Sequence, residues 1–240
     1  MFVSDIQVIF FDAAGTLFHV KGSVAEVYLA YAEKYGVKRT PQMLEAVAAA
    51  FRRAFHDAPS PVFVADDPVR MKQCERLWWF DVVHNVWYRV GIFERFDDYF
   101  EEVFQAFDGP QLWELYPETL TVLKHLKQRG LELGIISNFD SRLFSVLRGL
   151  GLLDLFDSVT ISSLAHAAKP ATKIFKHALA KHACDPPEAV HVGDHLREDW
   201  EGARAAGLHA VLLDRDQDRP APVSPNIKTL DDLPTVLTAL

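Results

Sequence analysis

The sequence predicts an α/β fold with a parallel sheet and an inserted group of helices. From residue 117 onward, helical patterns alternate with short apolar runs, which is typical of parallel strands joined by crossover helices. Between Leu17 and about Gly109 no strand-length alternation occurs, and the apolar residues recur at helical spacing. These two observations predict a Rossmann-like parallel sheet core with an inserted helical-bundle cap domain.

The chain divides accordingly into a core, residues 1–18 and 110–240, and a cap, residues 19–109. The 240 residues, 49% of them hydrophobic, are enough to bury a sizeable core. The insert follows directly after the first strand. We therefore expect its helices to lie over the strand ends, where open α/β sheets bind their ligands.

The elements of the core follow from apolar runs bounded by glycine and proline. The first strand is predicted over 7–11, and further strands over 131–136, 158–162, 189–193 and 209–213. Pro117 opens a helix that Gly130 closes, and further helices are predicted near 141–149, 171–183, 197–206 and 231–239. The proline-containing stretch from Arg215 to Pro225 predicts a surface loop.

The cap contains several helix-start signals and a stripe of aromatic residues. Ser23 with Glu26 forms a capping-box pattern, Pro41 follows Thr40, and Asp67-Pro68 opens a long helix that ends at Gly91. Aromatic residues at helical spacing more often form the interior of a bundle than a binding site. We expect this for most of the stripe, with one or two members facing the cleft: Trp78, Trp79, Phe80, Trp87 and Tyr88.

Charge and cysteine content exclude several classes of function. A net charge of −8 opposes non-specific binding to nucleic acid or to an anionic membrane surface. No apolar stretch approaches the roughly 20 residues that span a bilayer, and the chain opens on a predicted strand rather than a signal peptide. Cys74 and Cys184 form no CxxC pair and are too few for a disulfide framework. We expect a cytoplasmic protein with no nucleic-acid or membrane partner; its oligomeric state is left open.

Polar residues follow the apolar runs at the predicted strand ends. Asp12 ends the first strand and precedes Ala13-Ala14-Gly15-Thr16. A carboxylate in this position can attack an electrophile or bind a hard cation. The later runs add three further segments: Ser137-Asn138, Lys169-Pro170, and Gly193-Asp194 with Asp199 five residues on.

These four segments, in this order, resemble the motifs of the haloacid dehalogenase-like (HAD) hydrolase superfamily, over roughly residues 6–214. The detail of the motifs is similar to a helical-cap subgroup with Ala in place of the second Asp of the first motif. The resemblance implies hydrolysis of a small phosphorylated molecule, with Asp12 as the nucleophile that forms an aspartyl-phosphate. It implies that Thr16, Ser137 and Asn138 bind the phosphoryl group and that Lys169 neutralises its charge. It also implies a Mg²⁺ ion bound by Asp12, Asp194, Asp199 and the backbone carbonyl of Ala14.

Ala14 leaves several alternatives open, because most HAD phosphatases have at this position an Asp that acts as general acid and base. The substrate could have a good leaving group, or Asp140, His195 or a cap residue could transfer the proton. We expect Asp140 to cap a helix instead, and His195 either to reach the cleft or to bond the backbone. Phosphonatase chemistry with Lys72 as a Schiff base, dehalogenation, and a phosphate- and metal-binding pseudo-enzyme are the other possibilities.

Overall fold

The computed structural model describes residues 6–215 and 223–240, and a parallel sheet forms its central layer. The strands are β1 Val8–Phe11, β2 Phe18–Val20, β3 Trp113–Leu115, β4 Glu132–Ser137, β5 Ser158–Ile161, β6 Ala189–Gly193, β7 His209–Leu213 and β8 Asn226–Ile227. Six of them form the central sheet in the order β5-β4-β1-β6-β7-β8, with all neighbours parallel. This confirms the α/β prediction and the five predicted strands.

The helices divide between the core and the insert. The α-helices are α1 Val24–Ala32, α2 Pro41–Asp57, α3 Pro68–Val90, α4 Phe96–Ala106, α5 Thr119–Gln128, α6 Leu143–Gly149, α7 Ser162–Ala165, α8 Thr172–Leu179, α9 Gly202–Ala205 and α10 Leu233–Leu237. A π-helix spans Leu196–Glu201. Short 3₁₀ turns lie at Glu33–Tyr35, Pro110–Leu112, Leu153–Leu155, Pro186–Glu188 and Leu230–Asp232. Within the described residues, no helix is both long and apolar enough to cross a membrane.

Both faces of the central sheet are covered by helices. Side chains alternate along a strand, so Ile9 and Phe11 of β1 pack with α5 and α6, whereas Val8 and Phe10 pack with α8 and α9. All residues of β1 are buried. Burial on both faces explains why the strand is a continuous apolar run rather than an alternating one.

The cap has an apolar interior of its own, formed by α1 to α4. Trp87 lies at its centre, fully buried, and its Nε1 donates to the Tyr99 hydroxyl at 3.0 Å. Tyr99 in turn donates to the backbone carbonyl of Tyr28. The expectation of a bundle interior is correct for Trp87 and wrong for Tyr88, which is 73% exposed because it lies on the opposite side of α3.

The predicted helix starts in the cap are confirmed. The Ser23 hydroxyl accepts from the Glu26 backbone N–H, and the Thr40 hydroxyl accepts from that of Met43. The Asp67 carboxylate accepts from two backbone N–H groups at the start of α3. These side chains replace the hydrogen-bond partners that the first turn of a helix lacks.

The short strand β2 contradicts the prediction of no strand between Leu17 and Gly109. It forms a two-stranded antiparallel ribbon with β3. β2 pairs antiparallel with β3, with Phe18 opposite Leu115 and Val20 opposite Trp113. Beyond it the Lys21 backbone N–H donates to the Leu112 carbonyl at 2.8 Å. Three residues are too few for periodicity to show, and the partner strand is distant in sequence. The predicted boundary between residues 18 and 19 falls inside β2.

Several predicted helix ends differ from the structure. The helix predicted over 171–183 ends at Leu179, since His182 turns inward and hydrogen-bonds the Ser158 hydroxyl at 2.7 Å. The helix predicted over 197–206 is a π-helix followed by α9. The helix predicted over 141–149 begins two residues later, at Leu143 of α6. The terminal helix predicted over 231–239 is a 3₁₀ turn followed by α10. Most of the predicted loop from Arg215 to Pro225 lies outside the described residues.

Truncation of Trp87 tests the cap interior. Trp87→Ala should lower the free energy of unfolding by about 3–5 kcal/mol, because it removes a buried ring and leaves a cavity. Urea denaturation followed by circular dichroism measures this change. Tyr88→Ala is the matched control and should shift the free energy of unfolding by less than about 0.5 kcal/mol. Similar losses in the two variants would contradict this description of the cap.

Candidate active site

The carboxyl ends of β1, β4 and β6 meet at one edge of the sheet and bring the predicted polar residues to it. Asp12 follows β1, Ser137 ends β4, and Asp194 follows β6. Lys169 extends from the segment between α7 and α8, and Asp199 lies in the π-helix. Parallel strands all present their carboxyl ends at the same edge, so residues distant in sequence become neighbours.

Three carboxylates form the acidic part of the site. One oxygen from each of Asp12, Asp194 and Asp199 lies within 4.8 Å of the other two. Asp12 and Asp199 are buried, whereas Asp194 remains exposed at the mouth of the site. Carboxylates at this distance repel one another unless a cation lies among them.

Lys169 supplies one such cation. Its Nζ donates to Asp12 Oδ1 at 2.7 Å and to Asp199 Oδ1 at 2.5 Å. Burial of the ammonium group acts to lower its pKa, but the charges of Asp12 and Asp199 outweigh burial and raise the pKa. Lys169 is therefore a fixed positive charge at neutral pH.

Asp199 is held by several donors besides Lys169. His191 Nε2 donates to its Oδ1 at 2.9 Å, and the His195 backbone N–H donates to its Oδ2 at 2.9 Å. Burial acts to raise the pKa of Asp199, but the charge of Lys169 and the bond from His191 lower it below its usual range. Asp199 is therefore an ionised carboxylate with a fixed orientation.

Asp194 differs from the other two carboxylates in its electrostatics. Desolvation of its carboxyl group by the surrounding loops and the negative charges of Asp12 and Asp199 raise its pKa to about 7, although the residue as a whole is exposed. The Thr16 hydroxyl donates to Asp194 Oδ1 at 3.3 Å and fixes its position. A cation among these three carboxylates would favour the ionised form of Asp194.

Two glycines allow the carboxylates to approach the backbone this closely. A Cβ atom at Gly15, which has φ +91°, would lie 2.5 Å from Asp194 Oδ2. A Cβ atom at Gly193 would lie 2.2 Å from Asp199 Cγ. Both distances are too short for nonbonded atoms, so any larger residue at either position would displace a carboxylate.

Asn138 connects the end of β4 to Lys169. Its Oδ1 accepts from the Lys169 backbone N–H at 2.7 Å, and its Nδ2 donates to the Lys169 carbonyl at 3.0 Å. The same Nδ2 donates to Glu198 Oε2. Burial raises the pKa of this glutamate. Asn138 thus orients the backbone of Lys169, while Ser137 beside it is 3% exposed at the end of β4.

A second group of contacts fixes the loop after Asp12. Arg215 Nη2 donates to the Thr16 carbonyl at 3.0 Å, and its Nη1 donates to Glu118. Thr119 donates its hydroxyl to the Leu17 carbonyl at 2.8 Å. The loop that carries Thr16 is therefore bonded to the start of α5 and to the end of β7.

The structure distinguishes among the residues considered for proton transfer. Both oxygens of Asp140 accept from Arg142, and Oδ2 also accepts from Trp79 Nε1. Asp140 thus accepts from the Arg142 backbone N–H just before α6, but the N-cap residue of α6 is Arg142 and no side chain of the described residues caps that helix, so the expected N-cap role of Asp140 is not confirmed. His195 Nδ1 accepts from the Glu198 backbone N–H, one of the two roles expected for it. Ala14 is half-buried and forms a short bridge with Phe18, and Lys72 is exposed on α3.

The sequence pattern does not mark Glu198, Arg215 or Glu118 as site residues, and it gives His191 only a structural role. Glu198 adjoins Asp199 in sequence, which is a local signal. Arg215 and Glu118 are far apart in the chain and meet where the end of β7 and the start of α5 come together. His191 points to the face of the sheet that α8 covers, where its ring lies against Phe175, and its Nε2 reaches Asp199 from that face.

The donor set fits a small, hard divalent cation. Such ions prefer carboxylate and carbonyl oxygens, and the site offers three carboxylates around one point. Gly15 and Gly193 leave room for the three carboxylates, and Lys169 balances only part of the negative charge of these carboxylates. Asp12, Asp194 and Asp199 are the residues able to hold such an ion.

Comparison with known proteins identifies the family of the chain. A family model described as haloacid dehalogenase-like hydrolase matches residues 6–207. Haloacid dehalogenase-like hydrolase domain-containing protein 3 of Danio rerio is 30% identical, over 97% of this chain and 96% of the relative. A glyceraldehyde 3-phosphate phosphatase of Methanothermobacter thermautotrophicus is 36% identical over 42% of this chain and 45% of its own.

A solved structure of similar shape is a HAD phosphatase from Thermococcus onnurineus. It has a TM-score of 0.68 and 25% identity, and the match covers 97% of this chain and 98% of that one. The family model, the full-length relative and the arrangement of strand-end residues agree. The chain belongs to the haloacid dehalogenase-like hydrolase family.

Proposed function

We propose that the protein is a Mg²⁺-dependent phosphohydrolase that acts on a small phosphorylated molecule through an aspartyl-phosphate on Asp12. The observation that carries the proposal is Lys169 Nζ, which contacts both Asp12 and Asp199 inside a cluster of three carboxylates. Two of the proteins named above are phosphatases by name, which supports the same class of reaction.

Asp12, Asp194 and Asp199 would hold Mg²⁺ together with the backbone carbonyl of Ala14. When bound, Mg²⁺ supplies positive charge that neutralises the phosphoryl oxygens and the clustered carboxylates. Thr16 orients Asp194, and His191 with the His195 backbone orients Asp199. These partners hold the ligand oxygens in place before substrate arrives.

In the first step, a carboxylate oxygen of Asp12 attacks phosphorus, and the bond from phosphorus to the leaving oxygen breaks. In the second step, water attacks the phosphorus of the aspartyl-phosphate and releases inorganic phosphate and the Asp12 carboxylate. The Ser137 hydroxyl and the Asn138 backbone N–H bind the phosphoryl oxygens at the end of β4, while the Asn138 side chain stays bonded to the backbone of Lys169. Lys169 stabilises the negative charge that develops on them.

The substrate proposed here has a good leaving group, such as an acyl or aryl phosphate. Ala14 has no proton to donate, and the oxygens of Asp140 are bonded to Arg142 and Trp79. A leaving oxygen of low basicity departs without protonation, so the missing acid matters least for such substrates.

Asp12→Asn should reduce Mg²⁺-dependent hydrolysis of para-nitrophenyl phosphate about 10³-fold or more, because the amide is a poor nucleophile. Release of para-nitrophenol measures the rate, and EDTA should abolish it in the native chain. Circular dichroism checks that the variant is folded. Activity of Asp12→Asn equal to that of the native chain would rule out the aspartyl-phosphate.

Ala14→Asp should raise the hydrolysis of an unactivated alkyl ester such as β-glycerophosphate by about 10²-fold, since general acid catalysis is worth roughly 10²–10⁴. The rate with para-nitrophenyl phosphate should change little. Ala14→Asn is the matched control, with the same shape and no transferable proton. Equal rates for the Asp and Asn variants would contradict the role assigned to Ala14.

A binding module that retains the phosphate and metal site without turnover is the second candidate, favoured by Ala14. The native chain would then bind Mg²⁺ and phosphate, as measured by calorimetry, but hydrolyse neither para-nitrophenyl phosphate nor acetyl phosphate. Turnover that depends on Asp12 excludes this candidate.

A further inference from the structure

One turn of the cap helix α3 contacts the loop that follows β4. Glu75 and Trp79 are four residues apart on α3 and so lie on the same side of the helix. Their partners are the consecutive residues Asp140, Ser141 and Arg142. The cap thus bonds the core directly after the residues proposed to bind the phosphoryl group.

Glu75 is the most unusual member of this contact, because it is a carboxylate 2% exposed at the edge of an apolar bundle. Its Oε1 accepts from the Ser141 backbone N–H at 3.0 Å, and its Oε2 accepts from the Ser141 hydroxyl at 2.5 Å. Among the ion pairs of the described residues, none includes Glu75. Burial of a carboxylate is unfavourable without such donors, so Glu75 depends on Ser141 when the cap is seated.

Trp79 contributes a second, independent link. Its Nε1 donates to Asp140 Oδ2 at 2.5 Å, and the Arg142 guanidinium lies 5.1 Å from its ring centre. Arg142 pairs with Asp140 and also donates to the carbonyl of Phe104 in α4. Asp140 and the Arg142 side chain are nearly buried, so the link is shielded from water.

The contacted loop begins at Ser137 and Asn138. Asn138 bonds the backbone of Lys169 on both its N–H and its carbonyl group. A shift of the loop would therefore move both the proposed phosphoryl donors and the backbone that carries the proposed neutralising lysine. The short separation between Asn138 and Ser141 leaves little slack for the loop to absorb such a shift.

We infer that Glu75 is a positioning residue that acts through Ser141. With the cap seated on the core, it fixes the loop of Ser137 and Asn138 in the geometry that binds the phosphoryl group. Without the Glu75 carboxylate, the Ser141 N–H and hydroxyl lose their acceptors and the loop is no longer held in this geometry. This inference rests on the proposed function.

The chemistry of the contact suggests a sharp set of variants. Glu75→Gln keeps the contact, since the amide oxygen accepts from the Ser141 N–H and the amide nitrogen donates to its hydroxyl oxygen. Glu75→Ala and Ser141→Ala remove it. Val83→Ala, in the cap interior on the same helix, is the matched control for loss of cap stability.

Steady-state kinetics with para-nitrophenyl phosphate and saturating Mg²⁺ provide the first measurement. Glu75→Ala should lower kcat about 10- to 100-fold, the effect expected for lost hydrogen bonds to a charged group, and leave KM within about threefold. Glu75→Gln should retain kcat within about threefold. Val83→Ala should lower the melting temperature and leave kcat unchanged. The Glu75→Ala/Ser141→Ala double variant should be no slower than the slower single variant.

Hydrogen exchange of the peptide that contains 138–142 provides a measurement that needs no turnover. Glu75→Ala should speed exchange of the Ser141 amide, while Glu75→Gln and Val83→Ala should leave it protected. Equal kcat in Glu75→Ala and Val83→Ala, a full loss in Glu75→Gln, or unchanged protection in Glu75→Ala would each overturn the inference.

If the native chain shows no turnover, the proposed function fails separately. Exchange at Ser141 then decides alone whether Glu75 fixes the loop.

Discussion

The ammonium group of Lys169 lies between Asp12 and Asp199, and the remainder of the site is arranged around this contact. Without it, three carboxylates would face one another at the edge of an apolar sheet, and their repulsion would push the loops apart. The lysine offsets part of that charge and leaves a net negative site that attracts a cation. The Asn138 side chain hydrogen-bonds the backbone of Lys169, and His191 hydrogen-bonds the carboxylate of Asp199.

The parallel sheet makes this arrangement possible. β1 lies between β4 and β6, so the residues at the ends of these three strands are neighbours although β1 is more than a hundred residues from either of the other two in the chain. Glycines at two of the turns remove the side chains that would separate carboxylate from backbone. The insert then begins where the loop after Asp12 ends, and its helix α3 reaches back to the loop after β4. Site and cap are therefore joined by adjacent segments of chain.

Sequence patterns predicted the sheet and the residues at its edge because burial on both faces produces continuous apolar runs, as in β1 and β6, and each run ends in a polar residue. They did not predict the π-helix that carries Asp199, since its wider turn leaves no distinct periodicity. They also did not predict Arg215, whose partner Glu118 comes from a different crossover unit. The sequence could not predict which side of α3 faces the core. Glu75 and Tyr88 belong to the same helix, and only the packing of the cap on the core makes Glu75 buried and Tyr88 exposed.

The antiparallel pair of β2 and β3 connects both ends of the cap to the core. The two connections to the insert leave the core side by side, and Lys21 is hydrogen-bonded to Leu112 where they diverge. The roughly ninety residues of the cap therefore begin and end at neighbouring positions, as the residues of a loop between two paired strands do. A tight turn across those positions would close the core polypeptide without rearranging the sheet. The cap is in this sense a module inserted at a single point of the core, and its insertion leaves the strand order of the sheet unchanged.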